Sequence, residues 1–456
     1  MMPKNQNGVG QVVKKVSIVL AVLVLLSAVA IIAIGPAYVT HAPKMAAGMA
    51  AKLACSSRYV SGFSEHLAAA DLESYSPILA QVSLDFNDTD HAVTARFLGA
   101  SPSAHFVPGL GCALDYADKS IREAVQVPAL PVSDALWPAG DGVNPPHPQA
   151  QTLLDEILKQ DNAEGLQTRA LVLIKEGELV AEAYAEGIDP QTPLLGWSMA
   201  KSMTAVAIGR LVQQGRASVA SQTLFPEWQQ DVRAQLSLEH LLTMTDGLDF
   251  AERYEPGTDA TRMLFTEAGS AHYALTRPQI HPAGRRFNYS SGTANLLALW
   301  LMNQVGGSPQ AVQSFLFNEL FIPMGMQHTV FETDSLGVPV GSSYVYASAR
   351  DWARMGQLLV NGGEINGEQL LAPDYVRHAC SPNPSDNGRA YGYQLWLNEG
   401  DAALRWPSLP VTACAAMGNR AQMVMMIPER KIVFVRLGWT AGDYPTDDRV
   451  SRLLAF

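Results

Sequence analysis

The sequence predicts an α+β fold: one antiparallel β-sheet flanked by helices, with a mostly helical insertion, preceded by a single N-terminal transmembrane helix. Three observations carry this expectation. Paired strand-like segments stand near both ends of the main body, at "RALVLIKEGELVAEAYAEG" and "AQMVMMIPERKIVFVRLG". Between them lie long stretches with helical spacing, such as "ARDWARMGQLLVNGG", broken by Gly and Pro. Ahead of both, Val16–Ile34 runs without a charge.

That apolar run approaches the roughly 20 residues needed to cross a bilayer. Lys4, Lys14 and Lys15 precede it, so the positive-inside bias would keep the N-terminus cytoplasmic and send the remainder across. A cleaved signal peptide is the competing reading. Its apolar core is usually about 7–15 residues, and "VTHAPK" is a poor cleavage site. The expected organisation is a cytoplasmic N-terminus (1–15), an anchor in the lipid bilayer (16–35), an N-terminal extension (36–147) and a main domain (148–456). The main domain is expected on the periplasmic side of a bacterial inner membrane.

Four cysteines suit an oxidising compartment. Cys55 with Cys112 is the natural pair, and Cys380 with Cys414 a second; four buried free thiols are the alternative. There is no C-x-x-C and no Cys/His cluster, so neither a zinc site nor another metal is expected. A net charge of −11 argues against nucleic acid as a partner.

Within the extension, "QVSLDF" and "AVTARF" alternate apolar and polar residues around "NDTDH", which predicts a hairpin over Gln81–Phe97. "PVSDALWPAGDGVNPPHP" (Pro131–Pro148) is rich in Pro and Gly and reads as a linker. "PQAQTLLDEILKQ" then has helical spacing and opens the main domain.

The chemistry centres on "LLGWSMAKSMTAVAIGRLVQQG", Leu194–Gly215. If Ser198 opens a helix, its hydroxyl sits where Ser is a preferred cap, beside the positive helix end. Lys201 follows at i+3, on the same face. Trp197, Met199, Ala200 and Met203 make the surroundings apolar, and loss of hydration lowers a lysine pKa. A neutral amine beside a serine hydroxyl is a general base for a nucleophile. A capping Ser with a snorkelling Lys has the same sequence, so S-x-x-K by itself is a weak signal. Downstream, "HPAGRRFNYSSGTANLLALWLMNQVGG" places Tyr289 and Ser291 before another apolar helix. A tyrosine hydroxyl there can relay a proton between a serine and a leaving group.

Ser198-Met-Ala-Lys201, then Tyr289-Ser-Ser291, then "AMGNRAQMVMMIPERKIVFVRLG" resemble the β-lactamase-related serine hydrolases. "LSLEHLLTMTDGLDF", "FIPMGMQHTVFE", "ARDWARMGQLL" and "YGYQLWL" follow that family's order. The likeness runs from about Leu153 to Gly438, and is greatest to the branch of 6-aminohexanoate-dimer hydrolases and esterases. It implies a serine β-lactamase/DD-peptidase-like fold for 148–456. It makes Ser198 the acyl-forming nucleophile, Lys201 its base and Tyr289 the proton relay, with no cofactor. Ser291 stands where many members carry Asn, and would bond near Lys201. The oxyanion hole would come from the backbone N–H groups of Ser198 and Asn419.

Members that recognise β-lactams carry Lys-Thr-Gly or His-x-Gly on the C-terminal strand. The region "TACAAMGNRAQ" has no lysine or histidine, leaving Arg420, Arg285 or Arg286 as possible substitutes for the cation. Gln422 follows Ala421 where many relatives have Gly-Gln, which implies a mildly altered site. Tyr254 and Asp246, in a Gly- and Pro-broken acidic stretch, are candidates for substrate contact. His281 and His328 have no evident partners. The expected activity is hydrolysis of small esters or amides. A penicillin-recognising DD-peptidase or β-lactamase is one alternative, and an inactive binding protein on the same scaffold is the other.

Overall fold

A computed structural model describes residues 14–18, 36–129 and 133–456. The N-terminal extension begins with helix α1 (Pro36–Tyr59) and helix α2 (Glu65–Tyr75). A four-stranded antiparallel meander follows: β1 (Ser83–Asn87), β2 (Ala92–Arg96), β3 (Ser103–Val107) and β4 (Gly111–Leu114). The alternating segments pair as β1 and β2, with Asp85 opposite Thr94.

The main sheet has six strands. Helix α3 (Pro148–Ala163) leads into β5 (Thr168–Lys175) and β6 (Glu178–Tyr184). The other four strands come from the far end of the chain: β10 (Trp396–Leu397), β11 (Cys414–Gly418), β12 (Gln422–Ile427) and β13 (Ile432–Gly438). Their order is β10-β11-β12-β13-β5-β6, antiparallel throughout. Ile432 pairs with Lys175 and Val433 with Ile174, so the two chain ends meet at the centre of the sheet. β5 is apolar on both faces because both are covered. Leu171 and Leu173 meet Leu154 and Ile157 of α3. Val172 and Ile174 point into the larger core, which holds helix α6 (Ala349–Val360). This is the period-2 alternation of a strand with two packed sides.

Between β6 and β10 the chain is mainly helical. A small sheet of β7 (Leu194–Leu195), β8 (Thr329–Phe331) and β9 (Val345–Ala347) seats helix α4 (Met199–Gln213). Helix α5 (Ser291–Val305) packs beside α4.

The anchored, single-pass organisation expected from the sequence is corrected here. Among the described residues, no helix is long and apolar enough to cross a membrane. Residues 19–35 of the expected 16–35 anchor lie outside the described residues. The long helix that is seen, α1, is built for a protein interior. Ala46, Ala47, Ala50, Ala51 and Ala54 on it are inaccessible to solvent, and they join one continuous hydrophobic cluster with the main domain. It also carries a buried charge: Lys52 pairs with Glu332, which in addition accepts from Ser56 Oγ (2.8 Å) and the Cys112 N–H (2.7 Å). Cys55–Cys112 ties α1 to β4, and Cys380–Cys414 ties the chain before β10 to β11.

The Pro- and Gly-rich stretch read as a linker is an ordered strap over residues 133–147. The buried Arg354 guanidinium donates to the carbonyls of Pro138 and Gly140. Asp141 accepts from Arg354 and pairs with His328 at 2.9 Å, which supplies the partner that His328 lacks in the sequence.

Candidate active site

Ser198 occupies the N-cap position of α4, but with helical backbone angles and no side-chain capping bond. This differs from the cap expected of it. Its hydroxyl is instead 3.0 Å from Lys201 Nζ. Trp197, just before it, has φ 48°, a left-handed conformation that costs about 1–3 kcal/mol in a residue with a side chain. That turn is what swings the chain from β7 into α4 with Ser198 at the corner.

Lys201 does not snorkel: it is 1% exposed. Its Nζ has three polar neighbours, Ser198 Oγ, Ser291 Oγ (3.1 Å) and the Ser342 carbonyl (3.0 Å). Burial lowers its pKa to about 8, against the opposing pull of the Glu252 carboxylate. Tyr289 closes the cluster, with its ring centroid 4.8 Å from the Lys201 amine. Burial raises the phenol's pKa, a hydrogen bond with the Ser198 side chain lowers it, and Glu252 raises it further. The ring stacks on Trp396 (5.2 Å) and meets Tyr391 edge-on (5.9 Å).

Ser291 is inaccessible and begins α5. Its N–H donates to Glu252 Oε2 at 2.7 Å and its hydroxyl to Glu252 Oε1 at 2.6 Å. A carboxylate is favoured there, because a helix N-terminus presents unpaired N–H groups and a positive dipole end. Sequence reasoning missed Glu252 and the Ser342 carbonyl. The only available signal was an acidic residue in the Asp246–Pro256 loop, and nothing in its spacing places it at α5.

Tyr254 lies at the rim, 46% exposed as a residue, with its hydroxyl donating to Glu252 Oε1 at 3.1 Å. Loss of hydration and the neighbouring Glu252 carboxylate raise its pKa. Asp246 differs from the expected substrate contact. It is buried, accepts from Thr293 Oγ1 (2.7 Å) and the Leu248 N–H (2.8 Å), and braces the loop against α5.

The end of β11 faces the Ser198 corner: a Cβ on Gly418 would fall 2.1 Å from the Gly196 carbonyl oxygen. Asn419 follows, and its Nδ2 donates to the Tyr75 hydroxyl at 2.8 Å. Arg420 and Ala421 both have φ 60° and turn the chain back into β12. The Arg420 guanidinium lies over the Tyr75 ring at 4.4 Å and donates to the Ser74 carbonyl. It is folded onto the extension, and Arg286 pairs with His281 at 2.6 Å. Gln422 spans β12 and β13 through the Gly438 backbone. Tyr75, at the end of α2, also packs on Trp197 (5.8 Å) and Trp439 (6.2 Å). The extension therefore forms part of the site's rim.

Residues 152–455 match the beta-lactamase family model. A 6-aminohexanoate-dimer hydrolase of Paenarthrobacter ureafaciens is 25% identical over 253 residues, covering 52% of this chain and 64% of the relative. The match thus spans less than two thirds of that relative's length. Among solved structures, a Bacillus anthracis protein provisionally assigned as a 6-aminohexanoate-dimer hydrolase has a TM-score of 0.54 at 21% identity, covering 72% of this chain and 87% of that one. A penicillin-binding protein of Bacillus halodurans has a TM-score of 0.51 at 20% identity, covering 66% of this chain and 99% of that one. At those identities the structures attest the fold, while the family match spans most of the chain and includes Ser198, Lys201 and Tyr289. The chain belongs to the beta-lactamase family of serine hydrolases.

Proposed function

We propose that this protein hydrolyses small esters or amides through an acyl-enzyme on Ser198, with Lys201 as base and Tyr289 as proton relay. The observation that carries this reading is how the three neighbours of Lys201 divide. The Ser342 carbonyl can only accept. The Ser291 hydroxyl proton is committed to Glu252, so its oxygen is left to accept from Lys201. A neutral amine has two N–H donors and one lone pair. Both donors are then used, and the lone pair is left for the proton of Ser198.

Ser198 Oγ attacks the carbonyl carbon as its proton passes to Lys201, directly or through Tyr289. The negative oxygen that develops is received by the backbone N–H groups of Ser198 and Asn419, where a single donor is typically worth about 10²–10³ in rate. Tyr289 gives a proton to the departing alkoxide or amine. Water, deprotonated by the same pair, then attacks the acyl carbon and frees Ser198.

The absence of lysine and histidine from β11, together with Arg420 turned onto Ser74, disfavours a carboxylate-recognising β-lactamase or DD-peptidase. The test is labelling by a fluorophosphonate probe, beside turnover of p-nitrophenyl esters, linear amides and a chromogenic cephalosporin. Labelling and ester or amide turnover are expected, both lost in Ser198→Ala. An unlabelled, inert wild type would leave the inactive-scaffold alternative standing. Efficient cephalosporin turnover would favour the penicillin-recognising one.

The pH dependence follows from the buried amine. The reactive form is unprotonated, so kcat/KM should rise with pH along a limb centred near 8. Glu252 raises the Lys201 pKa, and removing its charge must lower it. The limb of Glu252→Gln is therefore expected at lower pH than that of wild type. A limb unmoved, or moved upward, in pH–rate profiles of the two proteins would separate Lys201 from the titration.

A further inference from the structure

An apolar cavity of about 220 Å³ lies between α1 and the Tyr254 loop. Met45, Met49, Leu79, Phe265, Tyr75 and Tyr254 are among its walls. Its volume exceeds the roughly 150 Å³ that accepts a benzene ring in an engineered apolar cavity. Two of its walls are also parts of the site: Tyr254 bonds Glu252, and Tyr75 bonds Asn419 and packs on Trp197. The cavity therefore shares two walls with the rim of the candidate site and is lined on its other side by the N-terminal extension.

From these shared walls, and resting on the hydrolase reading above, we propose that the cavity is the subsite for an unbranched hydrocarbon chain on the acyl side of the substrate. Tyr289 receives the leaving group against the wall formed by Trp396 and Tyr391. Tyr75 stands at the opposite edge, beside the proposed oxyanion donor. A chain attached to the carbonyl and directed away from Tyr289 meets Tyr75 and Tyr254 first, then the methionines of α1. Methionine suits such a surface, because its unbranched thioether adapts to a flexible chain. The extension, together with the Tyr254 loop and Phe265, would then set which acyl group is cleaved.

The test is a series of p-nitrophenyl esters from acetyl to decanoyl, which varies the acyl chain and holds the leaving group constant. Wild type is expected to prefer hexanoyl to octanoyl over acetyl. Met49→Trp fills the cavity and should lower the octanoyl-to-acetyl ratio of kcat/KM by at least about tenfold, within the range that hydrophobic pockets supply. Met49→Ala enlarges it and should move the optimum to a longer chain. Thermal unfolding of both variants checks that they fold, and opposite shifts from one position exclude a general packing defect. A wild-type profile indifferent to acyl length, or two variants that keep the wild-type ratio, would overturn the subsite. A series of alkyl acetates adds the other side, and length dependence there in place of the acyl series would overturn the acyl assignment. Ser198-dependent turnover of the acetyl ester separates these outcomes from failure of the hydrolase reading, in which no ester is cleaved.

Discussion

In Ser198→Ala, turnover of a p-nitrophenyl ester is expected to fall by about 10⁴-fold or more, and Lys201→Met is expected to lose nearly as much. The reason is the division of labour at one hydrogen bond. Ser198 Oγ and Lys201 Nζ are 3.0 Å apart, and in the proposed mechanism neither is useful without the other. A hydroxyl with no base is a poor nucleophile, and without Ser198 the Lys201 amine has no alcohol to activate. The two losses should therefore not add: the double variant is expected to resemble the worse single variant, as residues that act as a unit do in other serine hydrolases. Single-turnover kinetics on the three variants decides this. Losses that multiply would mean that Lys201 supports the fold or binds substrate without activating Ser198.

In Glu332→Ala, the protein is expected to lose about 3–5 kcal/mol of stability, the usual cost of leaving one partner of a buried ion pair alone. Lys52 is 3% exposed and Glu332 is inaccessible, and Glu332 also holds Ser56 and the Cys112 N–H. Burial lowers the Lys52 pKa from 10.5, while its attraction to Glu332 raises it. Without Glu332 the folded-state pKa falls further. The unfolded chain then binds more protons between that value and 10.5, so the variant should gain stability as pH rises through this window. Urea unfolding at several pH values measures both effects. Lys52→Met combined with Glu332→Leu should recover most of the loss. A small, pH-independent deficit in Glu332→Ala would show that α1 is held by its alanine face and by Cys55–Cys112, without a net contribution from the ion pair.

Much of the site is legible along the chain because its parts are local. Ser198 and Lys201 are one helical turn apart, and Tyr289 and Ser291 are two residues apart at the entry to α5. Short, mostly apolar runs around turn residues at both ends of the main domain mark β5, β6, β12 and β13; β12 and β13 are buried along their whole length, and only β6 alternates in burial. The single-residue reading of Ser198 as a cap fails for a local reason too: its backbone is already helical, so the hydroxyl is free for Lys201. Hydropathy led to an anchor at 16–35. The same kind of count also misses what α1 does, since alanine and methionine serve a protein core as well as any other apolar setting.

The sequence alone determined the candidate groups: an alcohol, an amine and a phenol, in the order and spacing of one hydrolase family. Only the tertiary structure decided what surrounds the amine. Glu252 approaches Ser291 across 39 residues and the Ser342 carbonyl approaches Lys201 across 141, and no periodicity reports such distances. The closing of the site's rim by Tyr75, and of the cavity behind it by α1, is likewise a matter of packing. A side chain's environment depends on what folds against it, and a linear pattern carries only what lies within a turn or a strand.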